Sequence, residues 1–474
     1  MDALAFLRER TKTRTGRVLF CLLCLLPVFG GLVSGLQHHA PAFMDIDAVL
    51  CAAKVVAAGG SPYGALACPG LAPAAYVYAP QIAGGLAPLI NAVGATGARW
   101  VYLVCLFGPA SLALAWYALG RALPGVDWRF RLLAVSGLSP MAFCSGNFGM
   151  IMHAAVIFSL LERNPIKWSP LFGKIARPGK DLERNDNSAS SHSALTWPKR
   201  KWAFTALVLA CAVVKPTFLL YFLVYLFENR PWRDRLSALA VSGLAGIGVV
   251  AVTALTAGPQ GAAWGHALGA VALRDQPGLG WQAFTAWLGL APDAPLTLGL
   301  TLLFMAAMAA SGVAIAEAAG LDDDERRVLA LGLVPLLTPR LMDYDMLAVV
   351  PCLTLLMRVT PALGGRIYRY NVSWIFTAVL GFGAVNNVLH LHHWPRSQAA
   401  VAVFCAVVLA GGARLAVKAW EKRRGPPERK KMGKATSAAL FMSGELRAVR
   451  TPEEVQPERS EVKFSGPASR HRPG

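Results

Sequence analysis

Long apolar runs separated by short basic clusters recur from residue 18 to residue 418. A helix needs ~20 apolar residues to cross hydrocarbon, so each uninterrupted run of about that length predicts a membrane span. The first, 18–36, has no small-residue cleavage site after it and is expected to stay as an anchor. Pro80, Gly84, Gly85 and Pro88 interrupt the next stretch, 78–93, whereas 101–123 is a longer apolar run. This contrast predicts a juxtamembrane or re-entrant helix over 78–95, followed by a span at 98–120.

Further along, the pattern predicts a hairpin over 130–162 with its tip at Ser145, Gly146 and Asn147. A broken hairpin follows over 202–227, interrupted at Lys215 and Pro216, with arms shorter than a bilayer requires; broken helices are tolerated where they line a protein cavity. Spans are expected at 236–257 and 295–318, then a hairpin over 327–358 turning at 338–345, then spans at 371–391 and 397–418. The fold class expected is therefore an all-α, polytopic integral membrane protein with about twelve spans. No internal repeat is visible.

Basic residues orient this arrangement. Arg8, Arg10, Lys12, Arg14 and Arg17 make residues 1–17 a cytoplasmic N-terminus by the positive-inside rule. The membrane domain then covers 18–418, with loops 37–96 and 258–294 outside. The Ser-, Asn-, Lys- and Arg-rich insert 163–201 is expected inside and disordered. Assigning 78–95 to the external loop keeps that insert inside, because one more crossing would expose it. Residues 419–474, rich in Lys, Arg, Glu and Pro, read as a disordered cytoplasmic tail.

Composition agrees with a membrane protein. Of 474 residues, 55% are hydrophobic and only 15% charged, against roughly 25% charged in ordinary soluble domains. The net charge of +19 follows from the basic clusters between apolar runs and in the tails, so it points away from nucleic acid as a partner. Seven of the nine cysteines (21, 24, 105, 144, 211, 352 and 405) lie in or beside apolar runs and read as small core residues. Cys51 and Cys68 share the first loop, where an oxidising compartment would allow a disulfide.

Chemistry is concentrated at the turns. Asp45 and Asp47 open an apolar helical stretch, and their spacing points them in different directions. Either both are first-turn acids beside the positive end of a helix dipole, or one is a general base. Lys215 sits among Val213, Val214, Phe218 and Leu219. A lysine there costs ~3 kcal/mol at a bilayer centre unless it reaches an interface or a partner. Arg340 allows the same two readings, and two cations facing one cavity would make an anion site, most simply for phosphate. Asp343, Tyr344 and Asp345 either hold one of those cations or end a helix. Asn147 after Gly146 reads as a turn. His390, His392 and His393, near Trp394 and Arg396, fit an interfacial hydrogen-bonding role better than a metal site, since no acid lies close by in sequence. No phosphate loop, dinucleotide fingerprint or Gly-x-Ser-x-Gly elbow is present, so no cofactor is expected.

Asp45, then Gly59-Gly60-Ser61-Pro62-Tyr63, then Tyr76-Val77-Tyr78-Ala79-Pro80, resembles the first external loop of glycosyltransferase family 87, within the GT-C superfamily of polyprenyl-phosphate-sugar transferases. Gly146-Asn147, Lys215-Pro216-Thr217, Pro339-Arg340 and Tyr344-Asp345 resemble later landmarks of that family in the same order, over roughly residues 18–418. The insert 163–201 is longer than the family pattern, and the tail has no counterpart in it.

The resemblance implies an inverting transferase on the outer face of a bacterial inner membrane, with Asp45 as base and Asp47 second. It implies transfer of a hexose or pentose, mannose-like, from a polyprenyl-phosphate donor to a lipid or glycan acceptor. Lys215, Arg340, Asn147, Tyr63, Tyr78, Tyr344, Asp345 and His392 are then the expected substrate and phosphate contacts. A secondary transporter, and a polymerase or ligase of lipid-linked glycans, are the competing expectations.

Overall fold

The computed structural model describes residues 3–37, 43–64, 66–72, 75–121, 127–138, 142–161, 190–270, 278–389 and 396–424. Regular structure among them is entirely helical. Among the described residues four helical stretches are long and apolar enough to cross a membrane: Pro80–Leu119, Trp232–Thr256, Pro295–Ala318 and Gln398–Glu421. A fifth results if α1 (Ala3–Arg10) and the start of α2 (Arg14–Gln37), bent by 118° at their junction, make one span.

This count corrects the expectation of about twelve, for two physical reasons. First, two of the apolar runs form helices too short to cross alone, Phe148–Leu160 and Pro216–Phe227. Their apolar side chains are satisfied by protein as readily as by lipid, and hydropathy cannot tell the two apart. Second, the return arm of the hairpin at 327–358 and the span expected at 371–391 are one 44-residue helix, Met346–Leu389. Arg358, Arg366 and Arg369 therefore lie along a helix and not in a loop. The parity argument that set both termini on one side falls with the count.

The chain entering the site runs through α3 (Met44–Ala57) and α4 (Pro80–Tyr102), which pack along each other. α4 bends at Gly94, whose φ of 70° and ψ of 167° are non-helical. The helical path then continues through α5 (Gly108–Trp116) to Arg121. The break falls close to the boundary between the expected juxtamembrane helix and the following span.

Three hairpins complete the frame. α6 (Trp128–Leu138) and α7 (Phe148–Leu160) lead into and out of the turn at 145–147. α8 (Ser190–Val214) packs against the 3-10 helix Pro216–Phe227, with Lys215 between them. Because α8 starts at Ser190, the last part of the insert expected to be disordered is helical; residues 162–189 lie outside the described residues. Next come α9 (Trp232–Thr256), α10 (Gln260–Ala270), α11 (Trp281–Trp287) and α12 (Pro295–Ala318). Finally α13 (Asp323–Leu337), begun by an Asp322–Glu325 capping box, packs against α14 (Met346–Leu389). α13 is buried from Arg326 to Leu337, which makes this hairpin the interior of the bundle. α15 (Arg396–Arg424) closes the described chain.

Candidate functional site

The site begins with a backbone contact between two remote turns. Phe43 has a left-handed φ of 68°, costly for a bulky side chain. Its N–H donates to the Cys144 carbonyl at 2.8 Å, and the Asp45 N–H to the Ser145 carbonyl at 3.3 Å. The first turn of α3 thus docks on the α6–α7 turn. Gly146 permits the approach: its φ is 65°, and a Cβ there would stand 3.0 Å from Phe43 Cβ and 3.1 Å from Ile46 Cγ2.

Asn147 joins the two segments. Its Oδ1 accepts the Gly149 N–H at 2.6 Å and so caps α7, while its Nδ2 donates to Asp45 Oδ2 at 3.0 Å. Neither Asp45 nor Asp47 caps α3, which has no side-chain cap. The Asn147 contact leaves one Asp45 oxygen outside this bond. Burial pushes the Asp45 carboxyl above the ordinary aspartate range, and the Asn147 bond and the charges of Arg340 and Lys215 pull the other way.

Lys215 stands where α8 gives way to the 3-10 helix. Its backbone is extended and Pro216 forbids continuing the α-helical ladder. Its ammonium lies 3.8 Å from Asp345 Oδ1 and 5.1 Å from the centre of the Tyr344 ring. Arg340 comes from the α13–α14 turn, which the segment before α11 supports: the Leu279 N–H donates to the Leu341 carbonyl at 2.7 Å and the Gln282 N–H to the Pro339 carbonyl at 3.3 Å. Arg340 acts electrostatically on Asp45, Tyr78 and Tyr344 alike.

Asp345 is buried beside Lys215. Burial alone would raise its carboxyl, but Lys215, His153 and the Met342 N–H together bring it below the ordinary range. It is therefore an ionised acceptor at neutral pH. Tyr78 and Tyr344 are pushed the opposite way, by burial first and by the nearby carboxylates second, so both hydroxyls stay protonated donors. Tyr78, Phe148 and Tyr102 form an aromatic wall, with centroids 5.6 Å apart for the first pair and 5.1 Å for the second.

The structure thus gathers Asp45, Asn147, Lys215, Arg340, Tyr78, Tyr344 and Asp345. It does not gather Asp47, whose Oδ1 lies 3.0 Å from Arg99 Nε and whose Oδ2 accepts the Ala72 N–H at 3.2 Å. Asp47 fastens α3 to α4 and to the loop between them. Tyr63 also serves the frame: its hydroxyl donates to the Tyr78 carbonyl at 2.8 Å. His392 lies outside the described residues. Gly59 and Gly60 end α3, their N–H groups donating to the Val56 and Val55 carbonyls respectively, the 5→2 and 6→1 bonds of a Schellman stop. Cys51 and Cys68 are disulfide-bonded, with Cα atoms 5.7 Å apart, closing the loop behind the site.

Three contributors escaped the sequence. His153 and Tyr221 meet Asp345 in a buried chain, and Arg99 holds Asp47. His153 carried the same signal as Lys215, a titratable side chain inside an apolar run. Tyr221 carried none. Among the described residues no three His, Cys, Asp or Glu side chains are arranged to hold a metal ion. Neither a protein-family profile, nor a curated protein, nor a solved structure matches the chain.

Proposed function

We propose that this helical membrane protein is an inverting glycosyltransferase that moves a sugar from a polyprenyl-phosphate donor to a lipid or glycan acceptor. One observation carries the reading: a desolvated carboxylate, Asp45, lies in the field of two cations, Lys215 and Arg340, that come from two other turns of the chain. Three turns have no packing reason to bring these groups together. A base beside an anion site is what displacement of a phosphate leaving group requires.

In the step proposed, Asp45 takes the proton of the acceptor hydroxyl as its oxygen bonds to the anomeric carbon. The bond between that carbon and the phosphate oxygen breaks, and the electron pair leaves on the lipid phosphate. Lys215 and Arg340 stabilise the charge that develops there. Burial makes Asp45 more basic than a solvated aspartate, which suits a base working near neutral pH. A single base of this kind gives one displacement and hence inversion. The Tyr78 and Tyr344 hydroxyls are neutral donors fitted to sugar oxygens. The Cys51–Cys68 bond supports an oxidising compartment for this end of the protein, in agreement with the outer face of a bacterial inner membrane.

A secondary transporter is the second reading, favoured by the buried His153–Asp345 pair, since such groups serve as coupling sites in membranes. Purified protein in lipid, given a radiolabelled polyprenyl-phosphate sugar and a lipid extract, should form labelled glycolipid. Uptake of free sugar into sealed vesicles with no transfer would overturn the proposal in favour of the transporter.

A further inference from the structure

Lys215 does not close on its carboxylate partner. Its ammonium stands 3.8 Å from Asp345 Oδ1, beyond hydrogen-bond reach, while His153 Nε2 lies 2.7 Å from the same oxygen. The other oxygen, Oδ2, accepts the Met342 N–H at 3.0 Å. His153 is itself held from behind, Nδ1 lying 2.6 Å from the Tyr221 hydroxyl, with its ring centre 4.8 Å from that of Phe218. Four groups from three segments therefore form one chain, Tyr221 to His153 to Asp345 to Lys215, of which the first three are buried.

Since Asp345 is an ionised acceptor, His153 must donate from Nε2. Nδ1 meets the Tyr221 hydroxyl, so both ring nitrogens have a partner. This occupancy has a consequence for the cation. An ammonium kept out of contact with its counter-ion keeps its N–H donors for something else. Without the histidine donor, Lys215 would move onto Oδ1 and form a closed ion pair.

We propose that His153 is a positioning residue of the anion site: by occupying Asp345 Oδ1 it holds Lys215 apart from its carboxylate, so that the ammonium is free to bind a lipid phosphate. The inference rests on the anion-site reading above and adds to it a residue that touches neither donor nor acceptor.

The test measures binding of dodecyl methyl phosphate, a phosphodiester of fixed charge, to the full chain in lipid nanodiscs. Lys215→Met and Arg340→Met should each weaken binding; if both bind like the wild type, the anion-site reading fails and takes this inference with it. Given that loss, His153→Leu should weaken binding by roughly tenfold, within the range of coupled neighbours. His153→Gln, which keeps a donor near the Nε2 position, should restore it. In a Lys215→Met background His153→Leu should cost nothing further, a non-additivity that a merely structural histidine would not give. Equal losses in both backgrounds, or no loss for His153→Leu beside a clear loss for Lys215→Met, would overturn the assignment while leaving the anion site intact. Should His153→Leu fail to fold, Tyr221→Phe removes only the hydroxyl behind Nδ1 and is read in the same two backgrounds. A smaller loss that vanishes without Lys215 supports the chain, and wild-type binding refutes it.

Discussion

Asn147 and Asp45, 102 positions apart, are joined by one bond, in which the side-chain amide donates from Nδ2 to Oδ2 at 3.0 Å. The same asparagine begins α7, so the orientation of the proposed base is tied to the start of another helix. A short polar side chain thereby performs two tasks that neither neighbour could share: Gly146 has no side chain, and the Phe148 side chain has no polar group.

This arrangement sets the roles of the two acids. Asp45→Asn removes the base while keeping volume, and transfer should fall by ~10²- to 10⁴-fold in a labelled-sugar assay. Asp47→Asn should leave most of the activity. If Asp47→Asn abolishes transfer and Asp45→Asn retains it, the roles are reversed.

Asp47 should instead reveal itself in stability. Asp47→Ala removes the acceptor of the Ala72 N–H and the carboxylate beside Arg99, at a cost of about 2 kcal/mol that a thermal or denaturant melt in detergent would show. Asp47→Asn keeps an acceptor for the Ala72 N–H and should cost less. Equal melts for the alanine variant and the wild type would remove the fastening role.

The pH profile follows from the direction of the Asp45 shift. Its folded carboxyl is raised by burial, so the active carboxylate is lost as pH falls through a value above the ordinary aspartate range. The acid limb of kcat/KM should therefore sit higher than for a solvated aspartate. Arg340 lowers that carboxyl, so Arg340→Gln should move the limb to still higher pH as well as reducing the rate. A limb unmoved, or moved down, would separate Arg340 from Asp45.

Gly278 tests the support of Arg340. Its φ is 73°, and a Cβ there would collide with the Leu341 carbonyl oxygen and stand 3.3 Å from Arg340 Cγ. Gly278→Ala should displace the 339–341 turn and reduce transfer with only a modest change in melting temperature. A control at Gly289, also at positive φ but with open space around its Cβ position, should show backbone strain alone and retain activity.

The Cys51–Cys68 bond spans 17 positions, and closing a loop of about that size is worth ~3 kcal/mol. Cys51→Ser should lower the melting temperature and expose the 59–72 loop to protease. Thiol labelling checks the pairing: Cys68 should react only after reduction. Reaction of Cys68 without reductant would show that the bond does not form.

Hydrophobic patterning by itself determined that the chain is helical and suited to a membrane, because backbone groups in hydrocarbon must bond within their own segment. Local chemistry determined the turns at 145–147, 215 and 338–345, where Gly, Pro and charge interrupt apolar runs. The number of crossings was not legible, since an apolar face reads the same whether lipid or another helix covers it. Nor was the fate of each charged residue. Asp45 and Asp47 carry the same chemistry two positions apart, yet one meets Asn147 and the field of two cations while the other meets Arg99 and Ala72. His153, in the middle of an apolar helix, takes its role from Tyr221 and from Asp345, 192 positions away. Periodicity fixes which way a side chain points from its own helix, but the partner it finds there depends on the packing of segments far apart in the chain, and only the tertiary structure decided that.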